Sequence, residues 1–250
     1  MNKAIFLFFI SISLFLFIAS CVTIPEPTEN RNRRRPSPDR GVSRERNHSG
    51  TAERGNTDAR RKSAREVDNI RNKILEGAEK FNGATSLVVN GRRFSMDCSG
   101  VVAAIYYYAG IDLQKYYPQY TGTGTERIYK TLRDRKLIKK TWLPKPGDIV
   151  FWDNTFDRNN NGRVDDPLTH VGIVVAVDNQ GNITYIHYHY RRGIVLEHMN
   201  IRKRNEEFQM INGERVIVNS PMRMRSSGRN HHNWLSGQLV NSFAEAYHLD

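Results

Sequence analysis

The chain has 250 residues, a formal net charge of +12 and 38% hydrophobic residues. The charge is concentrated: residues 31–65 hold twelve Lys/Arg against four Asp/Glu, so +8 of the total belongs to one segment. That segment contains no Phe, Tyr or Trp, which removes the base-stacking component of single-strand binding and argues against a nucleic-acid partner.

Lys3 precedes Ala4–Ala19, sixteen almost wholly apolar residues. A membrane span takes about 20, so the run fits a signal h-region better. It ends at Ile18-Ala19-Ser20-Cys21, which resembles the lipobox of bacterial lipoproteins, where the cysteine becomes the lipidated first residue. Residues 1–20 are therefore expected to be a lipoprotein signal peptide. Cys21 is then the anchor, holding the protein to a membrane on its extracytoplasmic side in the bacterial envelope. An uncleaved signal anchor is the alternative. Residues 21–65 carry early prolines, then arginines spaced by Ser, Asn, Gly and Thr, and are expected to form a disordered tether. Its basicity suits anionic lipid or an anionic wall polymer; a soluble spacer is the alternative.

Residues 66–250 are one domain's worth of chain. Val67, Ile70, Ile74, Ala78 and Phe81 have helical spacing, with a stop at Asn82-Gly83. Leu87–Val89 and Arg92–Phe94 flank Asn90-Gly91, a type I′ hairpin signal. Helices are expected over residues 98–109 and 126–137, the second with Ile128 and Leu132 facing inward. Strand-like runs follow at Asp148–Trp152, His170–Val177, Ile183–Tyr190 and Ile194–Leu196, joined by short turns, with a further strand at Arg215–Val218. Trp234, Leu235, Leu239, Phe243 and Tyr247 suggest a closing C-terminal helix. Helices first and an antiparallel meander afterwards give an α+β fold.

With Cys21 assigned to the anchor, Cys98 is an unpaired thiol in an exported protein; a Cys21–Cys98 disulfide is excluded if Cys21 is lipidated. Asp97 is placed to cap the helix that Cys98 opens, and a helix N-terminus lowers a thiol pKa. Gly100 is expected to clear space for a substrate. The Cys98 N–H could face an oxyanion. A nucleophile needs a base, and the base an orienting group. His170 opens a strand, and His187 or His189 on the next strand could hold its second ring nitrogen. Asp148 reads as structural, and Tyr106, Tyr107 and Tyr108 as core and cleft lining.

Ala78-Glu79-Lys80-Phe81, Met96-Asp97-Cys98-Ser99-Gly100-Val101-Val102, Lys145-Pro146-Gly147-Asp148-Ile149-Val150-Phe151 and Thr169-His170-Val171-Gly172-Ile173-Val174 resemble the NlpC/P60 cysteine peptidases in order and spacing, over about Ile74 to Leu196. The resemblance implies a papain-like α+β fold with helices packed on a central antiparallel sheet. It implies a thiol protease of the cell wall that cleaves peptide bonds in peptidoglycan stem peptides. Cys98 would be the nucleophile, His170 the base and His187 the orienting group, with His189 the competitor for that place. Where many members carry Pro-Tyr-x-x-Gly-Gly before the cysteine, this chain has Ala84-Thr85-Ser86-Leu87 and the Asn90-Gly91 hairpin. Two other activities stay open: an N-acetylmuramoyl-L-alanine amidase, and a catalytically silent wall-binding lipoprotein.

No cofactor is required for that chemistry. Asp157, Asn159, Asn161 and Asp165, with Gly162 at the sharp turn, resemble the first positions of an EF-hand loop and form a candidate structural calcium site just ahead of His170. Leu168 stands where the bidentate Glu would be, and Asp166 is a substitute ligand; a polar Asn/Gly-rich hairpin loop is the alternative.

Overall fold

In the computed structural model, which describes residues 50–140, 143–224 and 233–249 (side chains from residue 64), the stripe from Val67 to Phe81 lies on helix α1, Gly50–Phe81. Ile74, Ala78 and Phe81 are buried, and Val67 and Ile70 pack against the same core. The helix begins earlier than expected, taking in residues 50–65 that composition assigned to the tether. The physical reason is that low hydrophobicity excludes a buried face but not a helix, and this stretch is rich in Ala and Arg. The described residues fall in one unit, His48–Asp250. The expected signal peptide, the expected anchor Cys21 and the first part of the expected tether lie outside the described residues.

Strands β1 (Leu87–Val89) and β2 (Arg92–Phe94) pair around Asn90 and Gly91, both with positive φ (48° and 79°), as a type I′ turn requires. Helix α2, Cys98–Tyr108, buries every residue from Gly100 to Tyr106 and packs on the strands His170–Val177 and Asn182–His189. Helix α3, Gly124–Asp134, starts in a capping box in which Thr123 Oγ1 accepts from Glu126 N–H and the Glu126 carboxylate accepts from Thr123 N–H. Its Ile128 and Leu132 are fully buried, as their spacing required.

The main sheet is antiparallel and has six strands: β3 (Ile138–Lys139), β4 (Ile149–Trp152), β5 (His170–Val177), β6 (Asn182–His189), β7 (Gly193–Asn200) and β10 (Val240–Ala244). Their spatial order is β3-β10-β4-β5-β6-β7, so β4 to β7 form the expected meander and the fold is α+β. The C-terminal helix is corrected: the helical residues are Ser236–Leu239 (α4) and a separate 3-10 turn at Ala246–His248, and between them Phe243 lies in β10, inserted between β3 and β4. Leu239 and Phe243 are four apart, a spacing that a helix and a helix-to-strand junction satisfy equally. The strand at Arg215–Val218 is present as β9 (Glu214–Ile217), but it pairs with β8 (Phe208–Ile211) in a separate hairpin rather than with the sheet.

Both faces of the sheet are covered. Ile149, Phe151, Val171, Ile173 and Ile186 face α1 and α2; Val150, Trp152, Val174, Tyr185, Met199 and Phe243 form a second core on the other side. Burial on both faces explains why β4 and β5 read as continuous apolar runs rather than alternating ones. Each such side chain contributes about 1.5–3 kcal/mol through its burial. No helix among the described residues is long and apolar enough to cross a membrane.

Candidate active site

Cys98 is the first residue of α2 and is free and half-buried. Asp97 caps it: its Oδ1 accepts from Gly100 N–H and from Ser99 Oγ, both at 2.8 Å. Burial raises the Asp97 pKa, but these bonds together with one from Ser95 outweigh it and hold the carboxyl below its ordinary range. Gly100 has a different role from the one expected. It is buried in the helix–hairpin packing, and a Cβ there would lie 1.9 Å from the Ser95 carbonyl oxygen. The missing side chain makes room for the turn that presents Asp97 and Cys98, not for substrate.

The thiol stands 3.6 Å from Thr125 Oγ1 on α3 and receives the backbone N–H of Val171, the residue after His170. Its pKa direction is opposite to that expected from the helix terminus. Burial pushes the thiol up, the Asp97 charge adds to this, and the donors from Thr125, Val171 and Ser99 offset only part. The resting group is the neutral thiol.

His170 opens β5 beside Trp152, with which it pairs across the sheet and whose ring centroid lies 5.7 Å away. His170 Nε2 lies 2.8 Å from His187 Nδ1 on β6. Gly172 is what permits this. It pairs directly with His187, and a Cβ at Gly172 would lie 3.3 Å from His187 Cβ and 2.7 Å from the Ile186 carbonyl oxygen. Without one, the His187 ring leans diagonally across the strand pair to His170. Burial, then the His187 and His189 charges, hold His170 well below the ordinary histidine range, so it is neutral and available as a base. His189, the competitor, is engaged elsewhere: its Nδ1 accepts the backbone N–H groups of Arg191 and Arg192 at 3.1 Å each.

A fourth group, Glu197 on β7, was not singled out in the sequence. Its Oε2 stands 3.0 Å from His187 Nε2, at ion-pair distance though off the line of a straight hydrogen bond. Oε2 also accepts from Tyr185 OH at 3.2 Å, and Oε1 pairs with Arg192. Burial raises the Glu197 pKa, but His187 and Arg192 outweigh it and keep the carboxylate ionised. The sequence signal was strand parity: Tyr185 pairs with Glu197 and His187 with Val195, so Glu197 shares the histidine face.

The Glu197 carboxylate beside His187 Nε2 favours one set of ring tautomers. With Glu197 facing His187 Nε2–H, His187 Nδ1 is an acceptor, His170 Nε2 carries the hydrogen, and His170 Nδ1 keeps its lone pair. Cys98, His170, His187 and Glu197 all line one cavity of about 440 Å³.

In the Asp157–Asp166 loop the Asp157 carboxylate accepts from Asn161 N–H (3.1 Å) and Gly162 N–H (2.8 Å), and Gly162 has φ 73°. Asn161 Oδ1 accepts from Arg163 N–H, while its Nδ2 lies 3.3 Å from both Asp165 oxygens. The donor set is the hard oxygen type that calcium takes, and the buried Asp166 Oδ2 has no hydrogen-bond partner. Against this, Asn161 turns nitrogen rather than oxygen to Asp165, and no group of three acidic, His or Cys residues able to hold a metal occurs among the described residues.

No curated protein matches the chain. Residues 89–189, from the end of β1 to the end of β6, match the CHAP domain family. CHAP is a cysteine/amidase-type hydrolase domain related to the NlpC/P60 papain-like group that the motifs resemble, so the match agrees with that resemblance at the level of this relationship, and the matching family is CHAP. Over the span that holds Cys98, His170 and His187, this chain is similar to CHAP domains.

Proposed function

We propose that the domain is a peptidoglycan hydrolase that cleaves an amide in the stem peptide through Cys98. The observation that carries this reading is the convergence of a capped helix-terminal thiol, a hydrogen-bonded His170–His187 pair and the Glu197 carboxylate at ion-pair distance from His187 on one cavity. The similarity to CHAP domains, which typically hydrolyse peptidoglycan, supports it.

Both members of the resting pair are neutral, so proton transfer accompanies attack. The Cys98 Sγ–H proton passes to His170 Nδ1 as the S–C bond forms, and the carbonyl becomes a tetrahedral oxyanion facing the Cys98 N–H. His187 and Glu197 hold the imidazolium that results. Collapse breaks the C–N bond, and His170 returns its proton to the leaving amine. Water, deprotonated by His170, then attacks the thioester; its proton passes through His170 back to sulfur, releasing the acid and restoring the thiol. The same groups could hydrolyse the amide between sugar and peptide.

Cys21 lipidation would hold this domain at the extracytoplasmic face of the bacterial envelope, and the basic tether would favour anionic lipid or wall polymer. Calcium held by Asp157, Asn159, Asn161 and Asp165, with Asp166 as an added ligand, would brace the loop that leads into His170, a structural role outside the chemistry. The test of function is digestion of purified sacculi by the protein and by Cys98→Ala, with released fragments identified by mass spectrometry. New amino and carboxyl termini within the stem peptide, produced only by the wild type, are expected. Equal release by both, or none, contradicts the proposal, and a free sugar–lactyl acid would identify the amidase.

A further inference from the structure

Two cavities meet at Cys98 and share Asp97, Phe156 and Thr169. The larger, of about 440 Å³, includes His170; the smaller, of about 230 Å³, does not. His170 must hand its proton to the leaving amine, so the leaving half of the substrate belongs in the larger cavity. The acyl half belongs in the smaller one, along Ser99, Gly124 and Thr125. That wall is tight, since a Cβ on Gly124 would lie 2.2 Å from Ser99 Oγ.

The larger cavity has an unbalanced lining: Arg191, Arg192 and Arg223 against Asp97 and Glu197. Both carboxylates are engaged. Asp97 caps α2, and Glu197 is held by Tyr185, His187 and Arg192. Arg191, by contrast, takes part in no ion pair among the described residues. Its guanidinium lies 5.2 Å from the centre of the Tyr190 ring, which stacks on His189 at 4.9 Å. The turn also fixes the His189 tautomer. Because Nδ1 accepts two backbone N–H groups, the neutral ring carries its hydrogen on Nε2 and is a donor there. The β6–β7 turn therefore offers a cation on an aromatic platform and a ring N–H, with no carboxylate of its own to occupy them.

We propose that Arg191, together with His189 Nε2–H, forms a carboxylate-binding subsite on the leaving-group side of Cys98. The preferred substrate then carries a free carboxylate on the residue whose amine departs. Arg191 is a specificity-determining group, placed to pair with that carboxylate through its fork of donors. The assignment of sides rests on the hydrolase reading above.

Binding and cleavage are tested separately, with full-length protein and two probes: L-alanyl-γ-D-glutamyl-L-lysine and its C-terminal amide. With Cys98→Ala, calorimetry is expected to show the free acid binding about fivefold tighter than the amide, the ratio of one exposed charge pair. The double variant Cys98→Ala/Arg191→Gln is expected to lose that preference, and Arg191→Lys to retain part of it. Equal affinity for the two probes, binding of neither, or a preference that survives Arg191→Gln overturns the subsite. Wild-type turnover is measured alongside. A carboxylate preference in binding without cleavage of either probe leaves the subsite standing and counts against the peptidase reading instead.

Discussion

His170 Nε2 and His187 Nδ1 lie 2.8 Å apart, and this one contact determines which nitrogen of His170 can serve as the base. His187→Ala removes the acceptor and frees the ring to rotate. The expected result is a loss of about 100-fold or more in kcat, the lower range for a displaced general base, with KM little changed. Steady-state kinetics on a soluble muropeptide check this. Unchanged kcat would remove His187 from the site.

Glu197 acts through His187, so its effect should appear in the pH profile. His170 is held below the ordinary histidine range, and the acid limb of kcat/KM should therefore lie below about pH 6.5, the unperturbed value. Glu197→Ala removes the charge that stabilises the imidazolium, and should move that limb lower still while reducing kcat. Glu197→Gln, which keeps an acceptor oxygen, should recover part of the rate. A purely structural Glu197 would lower thermal stability without moving the limb.

Gly100→Ala should unfold or strongly destabilise the domain, because the new Cβ meets the Ser95 carbonyl at 1.9 Å and neither backbone can yield alone. A loss of about 3 kcal/mol or more, of the order seen when a packed core is overfilled, is expected in denaturant unfolding. A stable variant with altered substrate affinity would restore the idea that Gly100 clears space for substrate.

Asp148 supplies a stability switch away from the chemistry. Burial pushes its carboxyl up to about 6, while Lys145 N–H at 2.8 Å and Tyr247 pull the other way. A carboxyl raised in the folded state contributes stability fully present below its unfolded value near 3.9 and lost as pH rises through about 6. Two units correspond to on the order of 3 kcal/mol. Asp148→Asn should therefore flatten the dependence, gaining relative to wild type as pH rises from about 4 to about 6 and holding that gain above it. Parallel melting-temperature curves for the two proteins would contradict this.

Calcium titration tests the Asp157–Asp166 loop. Binding heat and a rise in melting temperature are expected, both lost in Asp157→Ala. Absence of heat, with no change in melting temperature, removes the site.

The sequence made the front half of the domain legible because its signals are local. Asn90-Gly91 specifies a hairpin, Asp97 caps a helix, and Ile128 and Leu132 repeat at helical spacing. The meander was equally readable from its short turns. Two things were not readable. β10 joins the sheet between strands far from it in sequence, and only packing on both faces decides that Phe243 is in a strand. Glu197 looks like an ordinary charged residue until the β6–β7 register places it on the histidine face. The direction of the Cys98 pKa was also hidden, because burial, not the helix terminus, is the larger influence.

The most direct test is an acid-quenched intact-mass measurement during turnover of a soluble muropeptide. A transient adduct with the mass of the acyl half, mapped to Cys98 and absent from Cys98→Ala, is the predicted result. Hydrolysis that continues in Cys98→Ala would contradict the account.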